Sequence, residues 1–354
     1  MTTFPHQVQL MLTERCNLRC AHCAVPAENS PADQELRTAE WRRFIAVLAD
    51  AGVADLVISG GEALLRRDAI ELATYAHEVG MPRTTIITNG MRFNPKTNDA
   101  IVAAQVAHRG FGVHVSLDGA SAATHDWMRG IGSYDTIMSG IAALTASGGR
   151  ITGIHTVFHR GNVQEFDDVA SYVHGLGAEN WTLFPIASVG RGRAIQDHAL
   201  SRPEWEHLFE RGRRTAALYG LDVAPMGPIL VDEWPAEPGV PVPQGRNELS
   251  SRLCVGPDGA VFSCPPLRGA PVGTSTEIEE VSDWASVAAR GRLLVEEHCP
   301  TCRFKFLCVG SRLDADLTIY PHDTPPVDPS ETVPALSPAG RRALPLVQIG
   351  SRDA

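Results

Sequence analysis

Cys16, Cys20 and Cys23 stand at C-x3-C-x2-C spacing in the run from Thr13 to Cys23, directly after a short apolar segment. Thiolates are soft ligands that select zinc, copper(I) or iron–sulfur clusters. A structural zinc site wants four protein ligands, and no fourth stands near these three. Three thiolates on one inorganic centre leave one metal ion open, and an iron–sulfur cluster with a vacant iron fits that best. A zinc knuckle or three buried free cysteines is the plainer reading of the spacing taken alone.

Three further segments argue against the plainer reading. Ser59, Gly60, Gly61 and Glu62 follow the apolar run Asp55 to Ile58 and precede a helical pattern. Val115 to Gly119 ends a later apolar run, and His125 to Gly130 comes shortly after it. In this order the motifs resemble those of the radical S-adenosylmethionine (SAM) superfamily. The resemblance implies a [4Fe-4S] cluster on Cys16, Cys20 and Cys23 whose open iron holds the amino and carboxylate groups of SAM. Its reduction cleaves SAM to a 5′-deoxyadenosyl radical, with electrons from an external donor such as flavodoxin or ferredoxin. It further implies that Gly60 and Gly61 let backbone approach the ligand, that Glu62 accepts from the SAM amino group, and that Ser116 and Arg129 hold the SAM carboxylate. A guanidinium fork suits that last task. His22 occupies the position where the superfamily usually carries an aromatic residue near the adenine. A surface salt bridge for Arg129, a strand-end cap for Ser116 and a solvated loop histidine are the plain alternatives. Asp118 reads equally as an acid beside the cofactor or as a loop cap, and Asn89-Gly90 as an ordinary turn.

Five more cysteines stand toward the C-terminus: Cys254, Cys264, Cys299, Cys302 and Cys308. Cys254 and Cys264 flank a Pro257-Asp258-Gly259 turn, the signature of a hairpin that brings them together. Cys299, Cys302 and Cys308 form a compact C-x2-C-x5-C loop. Such pairs also build zinc ribbons. Beside the N-terminal motif they resemble the SPASM auxiliary-cluster module or its shortened form, Twitch. Full SPASM modules continue with further cysteines, where this chain has Ser311 and Arg312. The resemblance then implies one auxiliary [4Fe-4S] cluster on Cys254, Cys264 and two of Cys299, Cys302 and Cys308, leaving one thiol over. That thiol, with Cys308 the candidate, is either buried and inert or a catalytic hydrogen-atom donor. Pro265 and Pro266 stand where sulfatase-maturing relatives place an acid.

Composition bounds the rest. A formal charge of −10 and a pI near 5.7 argue against a nucleic-acid enzyme. No stretch reads as a membrane span or signal peptide, so a cytoplasmic location without membrane partners is the expectation. Eight cysteines in such a protein argue for metal ligands over disulfides.

The elements that must carry these residues alternate in βαβ fashion, predicting a parallel sheet. Strands are expected at His6–Leu12, Asp55–Ser59, Arg83–Thr88, Gly112–Leu117, Arg150–Phe158 and Asn180–Pro185. Helices are expected at about 39–51, 68–80, 96–109, 134–147, 164–176 and 203–219, with capping boxes at Asn162/Glu165 and Ser201/Glu204. The fold class is therefore α/β: a partial (β/α)6 TIM-type barrel over 1–220, a linker at 221–245 and a small cysteine-rich auxiliary-cluster domain at 246–312. Seven prolines between Pro321 and Pro345 mark residues 313–354 as a disordered tail. The motifs fall at the C-terminal ends of strands, where β/α barrels build their sites.

The motifs are specific for cofactor and radical chemistry and say less about substrate. Only 15 residues precede Cys16, leaving no room for a leader-binding domain. The reading favoured here is therefore a small-molecule substrate in antibiotic biosynthesis, such as an amino sugar, cyclitol or nucleoside sugar acid, undergoing oxidation, epimerisation or decarboxylation. The alternative is a maturase of a ribosomally made peptide, and a remote one is a non-catalytic zinc protein.

Overall fold

The computed structural model describes residues 7–25, 32–187, 190–225, 252–262 and 271–298. Cys264, Cys299, Cys302, Cys308 and the proline-rich tail lie outside them. Seven strands follow one another in sequence order: β1 (Gln7–Met11), β2 (Asp55–Ser59), β3 (Arg83–Thr88), β4 (Phe111–Ser116), β5 (Gly153–Val157), β6 (Asn180–Phe184) and β7 (Asp222–Pro225). All their pairings are parallel. Between them lie α1 (Thr38–Asp50), α2 (Ala69–Glu78), α3 (Pro95–Ala107), α4 (Ala122–Arg129), α5 (Ser133–Ala146), α6 (Phe166–Gly175) and α7 (Arg202–Tyr219).

Crossovers between parallel strands are right-handed, so a sheet that never reverses its order puts every helix on one face. Alternate strand residues follow that rule. Leu10, Ile58, Ile86, Val115 and Ile154 are buried against Phe44, Leu48, Leu72 and Ile141 of the helices. The opposite, inner face carries polar side chains, and there Gln9 Nε2 donates to Ser59 Oγ across β1 and β2 at 2.7 Å. This is the α/β partial-barrel arrangement expected, with strand bounds within three residues of expectation.

Three features differ. Residues Asp222–Pro225, read as the start of a linker, form β7 and pair with β6. Residues Ala122–Arg129 form a helix, α4, that the sequence reading left unassigned. The capping box expected at Asn162 and Glu165 does not form. Asn162 instead donates to the carbonyls of Asp118 and Val157, each at 2.8 Å, and Glu165 accepts from the Ala120 N–H and the Ser121 and Thr124 hydroxyls at the start of α4. Two side chains that would have served their own helix serve neighbouring loops. The box at Ser201 and Glu204 forms as expected.

The Pro257-Asp258-Gly259 hairpin is present, but it joins the sheet. Strand β8 (Arg252–Val255) pairs parallel with β1, and β9 (Ala260–Phe262) and β10 (Gly273–Thr274) extend the sheet antiparallel beyond it. A strand edge left open offers unpaired backbone groups, and β8 covers the free edge of β1. The last helix, α8 (Val281–His298), packs on α1. Trp284, fully buried, meets Phe44 edge-on at 6.0 Å, and the Arg43 guanidinium donates to the carbonyls of Ser275 and Ile278. Among the described residues no helix is long and apolar enough to cross a membrane.

Replacing Trp284 with Ala should cost about 3–5 kcal/mol, the range for emptying a large aromatic site. Urea denaturation measures it, and an unchanged midpoint would show that α8 does not anchor the β8–β10 extension.

Candidate active site

The cysteine loop is held on two sides by the protein itself. Leaving β1, the chain is tied to the end of β2: the Gly61 N–H donates to the Thr13 carbonyl at 2.7 Å and the Glu62 N–H to the Arg15 carbonyl at 2.9 Å. Gly60 has φ +149°, and a Cβ on Gly60 or Gly61 would strike the carbonyls of Thr13 or Arg15. Only glycine permits this approach. On its other side the loop is held by charge. Glu35 accepts from the Arg15 fork at 3.0 Å twice and from the Thr13 hydroxyl, and it lies 3.6 Å from the Arg66 guanidinium. Arg66 in turn binds Asp68 at 2.6 Å and donates to the carbonyls of Leu12 and Leu36.

Glu62 is buried, and its carboxylate faces the loop after β3. It accepts from the Thr88 hydroxyl and the Asn89 N–H, both at 2.7 Å, and from the Leu64 N–H at 3.0 Å. Burial pushes its pKa up while these three donors pull it down. Asn89, read from sequence as a plain turn, reaches back to Asn17 Oδ1 at 2.9 Å and lies 3.9 Å from Cys16 Sγ. One glutamate thus joins three loops.

A second node lies under Cys20. Asp118 is fully buried and pairs with Arg129 Nε at 2.6 Å, so it acts as the counter-ion of Arg129 beside the cysteine loop. Its other oxygen accepts from the Val157 N–H at 2.8 Å. Arg129 keeps a terminal nitrogen 3.9 Å from Cys20 Sγ. His22 turns its Nδ1 to within 3.9 Å of the same carboxylate. The Asp118 N–H donates to His125 Nδ1 at 3.1 Å. Arg191 closes the loop from above, donating to the Cys20 carbonyl at 2.9 Å.

Ser116, at the end of β4, is buried and aligned with His155 of β5. Two residues earlier on the same face, His114 Nδ1 lies 3.1 Å from His155 Nε2, and His155 packs against Phe184 of β6. Burial holds the His114 pKa down to about 4. Cys254, on β8 beside Gln9, completes the opposite side of this inner wall, with its sulfur 3.9 Å from the Gln9 amide oxygen.

The donor chemistry around Cys16 and Cys20 suits a [4Fe-4S] cluster with bound SAM, while the Cys23 thiol donates to the Val25 carbonyl and no three side chains among the described residues converge as on a single metal ion. Cys16, Cys20, Cys23 and Cys254 form no disulfide among the described residues. Burial raises the pKa of Cys16 to about 11 and that of Cys20 as well, so binding iron must release protons. Donors already point at sulfur: the Leu18 N–H at 3.4 Å from Cys16 and Arg129 at 3.9 Å from Cys20. His22 Nδ1 and His159 Nε2 are buried and have no hydrogen-bond partner among the described residues. The Gly161 N–H donates to His159 Nδ1, which places the His159 proton on the orphaned Nε2. Buried orphan groups of this kind ask for a ligand. His159 carried no motif in the sequence. Its only signal was its place directly after the fifth apolar strand.

Comparison with known proteins agrees with the geometry. Residues 10–173 match the Radical SAM superfamily. The chain is 29% identical over 324 residues to the AdoMet-dependent heme synthase of Nitratidesulfovibrio vulgaris, covering 86% of each chain. It is 26% identical over 325 residues to the PqqA peptide cyclase of Rhodopseudomonas palustris, covering 86% of this chain and 81% of that one. The fold matches Streptococcus suis SuiB bound to S-adenosylmethionine with a TM-score of 0.67 at 16% identity, over 87% of this chain and 73% of that one. The chain carries a radical SAM domain and is a radical SAM enzyme, whose cofactors are a [4Fe-4S] cluster and SAM.

Two outcomes test the site's electrostatics. Arg129→Ala should destabilise the protein by about 3–5 kcal/mol because it strands the Asp118 carboxylate, whereas the double variant Asp118→Leu/Arg129→Met should recover most of that loss. Denaturation midpoints of the three proteins read it, and equal losses in both variants would show that the pair is not a buried unit. His114 has a folded pKa near 4 against about 6.5 unfolded, so the unfolded chain takes up the proton first as pH falls. Stability should therefore decline by about 2 kcal/mol from this group between pH 7.5 and pH 5. His114→Gln should flatten that part of the slope in pH-dependent melting.

Proposed function

We propose that this enzyme matures a ribosomally made peptide, abstracting hydrogen from a residue that the inner wall of the sheet presents to SAM. The observation that carries the reading is the likeness to the PqqA peptide cyclase, which spans 81% of that protein and reaches well past the barrel. It weighs against the small antibiotic-type substrate favoured from sequence. The argument that the chain has no room for a leader-binding domain does not separate the two. A second reading, a tetrapyrrole substrate, is supported by the heme synthase likeness over 86% of both chains.

When bound, the cluster and SAM supply a 5′-deoxyadenosyl radical. The protein's own part is positioning. Cys16, Cys20 and Cys23 would hold the cluster through their thiolates. Gly60 and Gly61 let the end of β2 close against the Thr13 and Arg15 carbonyls of the cysteine loop, and Glu62 receives the SAM amino group. Ser116 and Arg129 take its carboxylate, with Arg129 oriented by Asp118, and His22 lies against the adenosyl part. His114, held neutral by burial, and His155, with Phe184, line the side on which the substrate sits. Cys254, Cys264 and two of Cys299, Cys302 and Cys308, within a module over 246–312, would hold an auxiliary cluster, a group whose chemistry is one-electron transfer. The remaining thiol, for which Cys308 is the candidate, would return a hydrogen if the reaction is an epimerisation.

The test is anaerobic turnover of reconstituted protein with the peptides encoded beside its gene and with a panel of porphyrins and amino sugars, read by mass spectrometry. A mass change confined to a peptide is expected. Alanine at Cys16, Cys20 and Cys23 should abolish 5′-deoxyadenosine formation, and Cys254→Ala should leave uncoupled cleavage. Arg129→Lys keeps the charge but loses the fork, and should weaken SAM binding by about 1–3 kcal/mol. A mass change confined to a porphyrin or sugar would overturn the peptide reading alone, whereas zinc without iron-dependent absorbance would overturn the cluster assignment.

A further inference from the structure

We propose that an acidic one-electron carrier protein docks on the face formed by the cysteine loop, the end of α4 and the segment Gly190–His198. The inference rests on the radical SAM reading and says where the reductant must meet this chain.

These three pieces are one surface. The Ala21 N–H donates to the Met128 carbonyl at 2.7 Å, the Arg191 N–H donates to the Cys23 carbonyl at 3.0 Å, and Trp127 stacks on His159 and meets His198 at a tilt, both ring centroids 4.7 Å away. The surface has an apolar part. Among the described residues only Val106, Trp127, Ile131 and Leu218 are large apolar side chains left exposed. Val106 and Leu218 lie singly on α3 and α7, but Trp127 and Ile131, 42% and 100% exposed, flank Arg129. The surface is also basic within a chain of formal charge −10. Arg19 is exposed on the cysteine loop itself, Arg191 lies on the carbonyl of Cys20, and Arg193 is exposed two residues on. Arg19 and Arg191 have no carboxylate within 4.0 Å among the described residues, unlike most arginines of the fold. Of the nearby acids, Asp126 is turned inward onto the Gly132 and Tyr134 N–H groups and the Ser133 hydroxyl, which leaves Asp197 at the rim.

An apolar centre with a charged rim is the anatomy of a protein interface, and opposite charge raises the encounter rate. A substrate has to reach the inner wall of the sheet, whereas a reductant needs only the outer edge of the cysteine loop. One electron leaves the reduced carrier and enters the cluster. The carrier is oxidised by one electron and the cluster reduced by one, with no bond made or broken.

The experiment compares SAM cleavage driven by a reduced, strongly acidic flavodoxin with cleavage driven by dithionite, in the cluster-loaded wild type and in Arg19→Glu and Ile131→Glu. Calorimetry measures the Kd of oxidised flavodoxin for the same proteins. Flavodoxin-driven cleavage should fall about tenfold or more in each variant, its Kd should rise in parallel, and salt should weaken wild-type binding. The dithionite rate should stay unchanged. An unchanged Kd would overturn the proposal, as would equal loss with both reductants. If the variants weakened precursor-peptide binding and left flavodoxin binding intact, the face would belong to the substrate. Wild-type protein that failed to cleave SAM with dithionite would instead refute the underlying radical SAM reading.

Discussion

A carboxylate with no access to water is costly unless it is paired and hydrogen-bonded, and Asp118 is such a carboxylate. Its side chain takes Arg129 from α4 and the Val157 N–H from β5, while its backbone takes His125 from α4 and Asn162 from the loop after β5. The ends of β4, α4 and β5 can therefore occupy only one mutual arrangement. That arrangement sets Arg129 beside Cys20, with Ser116 on the neighbouring strand end. An arginine free to move would recognise a carboxylate less selectively, because the fork works only when its plane is held.

The other half of the site uses the same physics with different residues. Glu35 and Arg66 hold the chain before Cys16, and Glu62 ties that segment to Thr88 and Asn89. Each node joins loops that follow different strands, so neither can form until the sheet has brought those strands together. The cysteine loop lies between the two nodes, and each ties it to a different strand end. Preorganisation of this kind is what a cofactor site requires of its surroundings.

Much of this was legible in the sequence, and the remainder was hidden for identifiable reasons. Periodicity revealed the strands because each carries apolar residues toward the helices, and the positions of Cys16, Gly60 and Ser116 followed from their places at strand ends. Helix α4 escaped because its residues answer to the site as well as to the core: His125, Asp126 and Arg129 break the apolar stripe that would mark a helix. Glu165 and Asn162 looked like a local cap because both residue types suit one. Their long-range partners, Ala120, Ser121 and Asp118, are more than 40 residues away. Glu35 and Arg66 had no signature at all, since a charged pair far apart in sequence is indistinguishable from two solvated side chains until the fold joins them.

The parallel pairing of β8 with β1 has the widest consequence. From sequence the hairpin looked like part of a separate module beyond a linker, free to lie anywhere the linker allowed. Paired residue by residue from Gln7 with Arg252 to Leu10 with Val255, it is instead continuous with the strand that delivers the cysteine loop. Cys254 is opposite Gln9, whose side chain also holds Ser59 at the end of β2, immediately before Gly60. Any group carried by Cys254 is therefore placed relative to the candidate SAM pocket by backbone hydrogen bonds of the sheet. Electron transfer between two centres depends steeply on their separation, and a sheet fixes a separation where a flexible linker would leave a distribution.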